Sequence, residues 1–195
     1  MTTARNALLR ALAGALLLAG CASAPSRFYS LQATAGPDGA PALRGAVLVG
    51  PVSVPASVDR PEFVVQQGPN RVEVEEFNRW DGPLGDGIAR VVAGDLAVLL
   101  GTPDVAVAPL ANFRTDYRVS LDVQRFQSTP AREVLLDAVW VVHAVKDGRT
   151  QSGRSVAQEP VDGPEFAALA AAHSRALARL SADLAAAIRA AAAAH

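Results

Sequence analysis

Residues 7–19 form a run made almost wholly of Ala and Leu with one Gly; Arg5 and Arg10 flank its start and Leu18-Ala19-Gly20-Cys21 closes it. A charged start, an apolar middle and small residues at the end are the order of an export signal. At about a dozen apolar residues the run is too short to span a bilayer as a stable helix. Residues 1–20 are therefore expected to be an address, and the fold must be built from residue 21 onward. Leu18-Ala19-Gly20-Cys21 also has the form of a bacterial lipobox, in which the cysteine thiol receives diacylglycerol and the chain is cut just before it. Cys21 is the only cysteine, so no intramolecular disulfide can form although the destination is oxidising. Acylation would remove a thiol that is otherwise a liability there.

An anchor of this kind has physical consequences. Each buried methylene contributes about 0.8 kcal/mol, so two or three acyl chains make desorption negligible. Ala22 follows the cysteine, where an Asp would resemble an inner-membrane retention signal; the outer membrane is thus the expected site, with the body facing the periplasm. Only residues 22–27 separate Cys21 from the first apolar pair, Phe28-Tyr29. At roughly 3.3 Å per extended residue that tether reaches about 20 Å. The folded body is expected to sit almost on the lipid surface.

The expected organisation is a signal over residues 1–20, an acylated cysteine with tether and loop over 21–45, and one domain over 46–195. About 175 residues with this apolar content suffice for a single core. Removing Arg5 and Arg10 from 18 basic side chains against 19 acidic ones leaves a formal charge of about −3. Nothing in that balance suits nucleic acid. The Ala-rich final segment is interrupted by Arg175, Arg179, Asp183 and Arg189, so it does not read as a membrane span.

Along the chain, Gly36-Pro37-Asp38-Gly39 marks a loop. Residues 46–55 read as a strand closed by prolines, with Pro51 placing it at an edge or bulge. Residues 63–66 and 71–75 are two strands about a Gln67-Gly68-Pro69-Asn70 turn, the second alternating Val with charge so that one face is wet. From Asp81, expected to cap, and Pro83, the stripe Leu84, Ile88, Val91, Val92, Leu96 and Leu99 predicts an amphipathic helix ended by Gly101. A short strand over 105–108 comes next. Tyr117, Val119, Leu121 and Val123 alternate with polar residues in a half-buried strand, and the alternation slips at Arg125-Phe126, which predicts a bulge. Residues 134–145 are apolar on both faces and read as a central strand, turned by Asp147-Gly148 into a polar one over 149–158. Residues 163–195 predict a long helix with Leu and Ile at intervals of three or four. The expected fold is α+β: a single, mostly antiparallel sheet packed by two helices, the second C-terminal.

Catalytic signals are poor. His143, His173 and His195 have no metal spacing, no serine stands in a nucleophile-elbow context, and Gly82, Gly85 and Gly87 lack the lysine and preceding strand of a phosphate loop. Glu73, Glu75 and Glu76 read as a solvated strand face. The chain is not expected to be an enzyme or to need a cofactor beyond the covalent lipid. Four features resist dismissal. Val58-Asp59-Arg60-Pro61 suggests a charge-paired, extended corner; Phe77-Asn78-Arg79-Trp80 with Pro83-Leu84 places an aromatic and basic cluster at a helix start; Asp116-Tyr117-Arg118-Val119 opens a strand; and residues 135–140 carry Trp140 into a central one.

The order of these motifs, with the lipobox, Arg27-Phe28-Tyr29-Ser30-Leu31, Val49-Gly50-Pro51-Val52 and residues 174–181, resembles the PqiC (YmbA-like) family of ABC-type transport auxiliary lipoproteins over nearly all of the mature chain. The chain departs from the pattern at Gly82, where an acidic residue is expected before the proline. The resemblance implies a non-enzymatic outer-membrane lipoprotein that docks the outer-membrane end of an MCE-type lipid conduit. Its implied partners are the membrane through Cys21, a periplasmic MCE-domain protein and its inner-membrane partner, further copies of itself and, as possible cargo, phospholipid. Asp59, Arg60, Arg79, Trp80, Asp116 and Arg118 are the positions to test for partner contact or structural roles. Two rivals remain open at this point: a self-contained amphiphile-binding module, which needs a sizeable apolar pocket, and an envelope hydrolase, which needs a nucleophile with a base in reach.

Overall fold

The computed structural model describes residues 25–193. Cys21 and the expected export signal lie outside them. The elements run β1 (Arg27–Tyr29), β2 (Val47–Ser53), β3 (Glu62–Gly68), β4 (Arg71–Trp80), α1 (Leu84–Leu100), β5 (Val105–Val107), β6 (Tyr117–Thr129), β7 (Glu133–Ala144), β8 (Thr150–Pro160) and α2 (Phe166–Ala193). From β2 onward this is the expected order; β1 is an added strand, at residues whose sequence shows only an apolar pair.

All eight strands join one curled sheet built around β6. β6 pairs antiparallel with β7, which pairs antiparallel with β8. On its other side β6 takes β2 in parallel along its first half and meets β3 in parallel at Val65↔Ser128. β3 and β4 form the expected hairpin, while β1 joins β4 and β5 joins β2, both in parallel. The sheet is therefore mixed, not mostly antiparallel. Alternation within a strand tells which residues face the core, but the direction of its neighbour is decided by the connection. The excursion through the β3–β4 hairpin and α1 is long enough to bring β6 back beside β2 in the same direction, as parallel pairing requires.

Both helices cover one face, α1 against β2 and β5 and α2 against β6, β7 and β8, and they pack on each other. The α1 stripe is buried as expected, and Leu169, Leu177, Leu180, Leu184 and Ile188 of α2 are fully buried. Each such side chain contributes roughly 1.5–3 kcal/mol over an exposed one. Gly101 ends α1 in the left-handed conformation at φ 61°. Asp81 does not cap the helix. Pro83 holds the cap position, two residues too late for the Asp81 carboxylate, and the Asp81 N–H instead donates to the Tyr29 carbonyl at 2.9 Å. The expected slip in β6 is present between Val123 and Arg125, and it turns Phe126 into the core while Arg125 stays outside. β2 is irregular between Val49 and Val52, as Pro51 implied.

The segment after β1 crosses both helices and is tied down by side chains. Asp95 of α1, fully buried, accepts at Oδ1 from the Thr34 and Ala35 N–H groups, both at 2.8 Å, and at Oδ2 from Ser181 Oγ of α2 at 3.3 Å. Ser174 Oγ accepts from the Gln32 N–H at 3.1 Å and donates to the Ala170 carbonyl at 2.8 Å. Burial pushes the Asp95 carboxyl above its ordinary range, against the lowering effect of the hydrogen bonds it accepts.

Candidate functional site

Two motifs that are far apart in sequence converge on one corner. The Val58 and Asp59 N–H groups both donate to the Pro55 carbonyl, at 3.0 and 3.1 Å, turning the chain before β3. The Pro61 carbonyl then accepts from the Trp80 N–H at 2.7 Å, so the end of β4 is stitched to that turn. Asp59, Arg60, Trp80 and Leu84 line a depression of about 380 Å³ between them. Gly82 lies on the same rim with open space where a side chain would stand. Asp59 and Arg60 are both exposed, and among the described residues no ion pair joins them: the pairing expected from their adjacency is not made. Neighbours one apart in an extended corner point away from each other. It is Arg79 that is paired, with Glu62 at 3.2 Å.

Beside this depression the β3–β4 register shifts between Glu62↔Arg79 and Phe63↔Glu75, leaving residues 76–78 as a bulge. The bulge points Phe77 outward, 42% exposed, into a second depression of about 440 Å³ that also holds Arg60 and Arg79. Val72 and Val74 on the same strand are exposed too, so β4 is wet on both faces here rather than on one. Sequence alternation marks these valines as inward; the hairpin projects past the helices that would have covered them.

The corner is stiff because of what stands behind it. Trp80 stacks on Phe63 with ring centroids 3.9 Å apart, Tyr29 meets Phe63 edge-on at 5.5 Å, and Phe126 lies flat on His173 at 3.8 Å. Offset and edge contacts of this kind add about 0.5–1.5 kcal/mol each beyond burial. Ser128 Oγ and His173 Nε2 are 2.8 Å apart, which superficially offers a nucleophile and a base. Both are buried in the core, His173 Nδ1 has no hydrogen-bond partner among the described residues, and burial pushes the ring down to about 3, so it stays neutral. With no third group to orient the ring and no opening for a substrate, the pair fastens α2 to β6. Among the described residues no group of His, Cys, Asp and Glu is placed to hold a metal ion.

Asp116 and Arg118 are not part of this corner. Asp116 lies just before β6 and Arg118 at its start, the latter eight residues or about 25 Å of strand from Phe126. Asp116 Oδ2 accepts from the Ala46 N–H at 2.8 Å and sets the start of β2 against β6. Sequence reasoning missed Phe77 as a surface residue, since only the bulge reveals its direction. It also missed a wider depression of about 870 Å³ between β1 and α2, bounded by Phe28, Glu159, Arg175 and Arg179. Arg175 and Arg179, one helical turn apart, were the available signal for it. This depression is open to solvent, unlike the pocket inside the fold that an amphiphile-binding module was expected to show.

A curled mixed sheet with both helices on one face defines an α+β domain, with Asp59, Arg60, Phe77 and Trp80 gathered at an outer corner. The same fold is found in a protein from Xanthomonas campestris, XCC0632, with a TM-score of 0.67 at 22% identity, covering 81% of this chain and 92% of that one. A second solved structure, described as an uncharacterized protein, matches with a TM-score of 0.67 at 18% identity over 85% of this chain and 99% of the other. Among curated proteins none matches the sequence. The chain matches the family described as ABC-type transport auxiliary lipoprotein component over residues 29–185, and it belongs to that family. The order of the short motifs points to the same place. No helix among the described residues is long and apolar enough to cross a membrane.

Proposed function

We propose that this chain is a non-enzymatic, outer-membrane lipoprotein, anchored through Cys21, that docks the outer-membrane end of an MCE-type conduit through which phospholipid passes between membranes. The observation that carries the reading is the corner itself. Asp59, Arg60 and Trp80 gather on one depression, Phe77 is held exposed beside it, and a rigid aromatic stack supports both. An exposed aromatic next to Arg over a fixed base is the composition of a contact hot spot. Family membership supports an auxiliary role in transport, with the partner supplying the energy and the path.

Trp80 is a poor residue for the test because its loss from the core would cost about 3–5 kcal/mol. Arg60→Glu and Phe77→Asp alter exposed side chains and leave the stack intact. Affinity purification of the acylated chain from membranes is expected to bring down the periplasmic MCE-domain protein, and either substitution to reduce its recovery at least tenfold. Recovery of neither that protein nor its inner-membrane partner with the unaltered chain would overturn the proposal.

A further inference from the structure

The curled sheet does not close. Among the described residues β1 pairs only with β4 and β8 only with β7, so each is an edge strand there. The depression of about 870 Å³ lies where these two edges face each other across α2. Phe28 forms one wall and Glu159 the other; Ala167, Ala171 and Ala178 of α2 make an apolar floor. Its size is within the range of small-molecule sites, roughly 300–1,000 Å³. Phe28 is 65% exposed, an unusual position for a Phe.

The head of this groove is polar and cationic. Arg175 donates from Nε to Glu159 Oε2 at 3.3 Å and from Nη2 to the Pro160 carbonyl at 2.6 Å, with Asp162 at 3.7 Å on its exposed side. Arg179 Nε lies against Glu159 Oε1 as an ion pair. Arg179 thus covers Oε1, which is buried beneath it. Each guanidinium has five N–H donors in a fixed fork, so both retain donors toward the groove. Of the charged side chains lining it, two are cationic and one anionic. The apolar floor and walls thus end in a head whose lining carries one positive charge in excess, which favours a phosphate.

We propose that this groove holds a phospholipid of the adjoining leaflet, with one acyl chain along the alanine face of α2 beside Phe28 and the phosphate on Arg175 and Arg179. The supply of lipid follows from where the chain leaves the body. Phe28 is seven residues from Cys21, at most about 25 Å of extended chain, so the groove mouth lies within reach of the surface that the anchor fixes. The inference rests on that anchor, and gives the proposed transport role a place where cargo touches this chain.

The test is native mass spectrometry of the full acylated chain, purified in detergent and incubated with phosphatidylethanolamine or phosphatidylglycerol. One phospholipid retained per chain is expected. Ala171→Trp, which fills the groove from an exposed position, and Arg179→Gln, which weakens the phosphate site, are each expected to lower the occupied fraction at least fivefold at unchanged melting temperature. Ala167→Trp serves if the first substitution impairs folding. No retained phospholipid, or retention unchanged in Arg179→Gln and in the Trp variants, overturns the proposal. So does retention that appears only in Cys21→Ala, because the groove would then belong to the chain's own acyl groups. The same spectra weigh the covalent lipid, so a missing anchor is seen separately from an empty groove, and neither result depends on recovery of the MCE-domain partner.

Discussion

Asp137 stands on the outward face of β7, yet its side chain is only 1% exposed, because Arg125 from β6 and Arg154 from β8 close over it. The Arg154 hydrogen bonds, 2.8 and 2.7 Å, do most to hold the carboxyl down to about 2; burial opposes them and Arg125 assists. The folded-state value lies below the ordinary one of 3.8, so the ion pairs' stabilisation is complete above that value and is lost as pH falls from about 4 to about 2. At neutral pH it is worth roughly 2 kcal/mol at most, since both guanidiniums are half in solvent. Asp137→Asn is therefore expected to lower the urea midpoint at pH 7 and to flatten its pH dependence between about 4 and 2. A variant that follows the parent's acid curve would sink this assignment. A carboxylate inside Leu135-Leu136-Asp137-Ala138 announces in the sequence that it needs partners. Which residues supply them is invisible there, because they come from two other strands at positions set by register and by the β6 bulge.

The β7–β8 pair shows the same division between elements. Trp140 lies across Gly153 so closely that a Cβ on Gly153 would stand 2.2 Å from its ring, while its indole N–H donates to Ser155 Oγ at 3.0 Å. Gly153→Ala must push the ring out of place, at a cost of about 2–3 kcal/mol. Gly148→Ala meets open space and carries only the penalty of a residue at φ 73°, about 1 kcal/mol. Thermal unfolding should rank them in that order; equal melting temperatures would mean that Trp140 has another place to go. The helices, their stripes, the hairpin and the bulge were legible, because each depends on the apolar period or the turn residues within one stretch; β7 has a neighbour on each side as expected, but Val139 and Val141 are exposed, so only one of its apolar faces is covered. Strand direction, the joining of β1 to β4 and the projecting end of the hairpin were not, because each depends on where a distant stretch arrives. For the same reason Arg60 and Trp80 could be named in advance while their meeting, and the separation of Asp116 and Arg118 from them, could not.

At the scale of the whole molecule, Asp95 is the point where the N-terminal segment, α1 and α2 are fastened together. Asp95→Leu keeps the branching of the side chain but leaves the Thr34 and Ala35 N–H groups without an acceptor, at roughly 1–3 kcal/mol each if they stay buried. The segment is expected to lift instead. Hydrogen exchange at Thr34 and Ala35 should quicken at least tenfold while amides in β7 keep their protection; a uniform loss across the domain would show that the carboxylate supports the core as a whole. Whatever holds the N-terminus, a tug on it enters through β1, which contributes only three paired positions to the sheet. That ladder would peel first, the knot at Asp95 would give way next, and the long strands around β6 would rupture last. Pulled by its leash in an optical trap, the domain should yield in graded steps, with a sacrificial fringe taking up slack before the body tears.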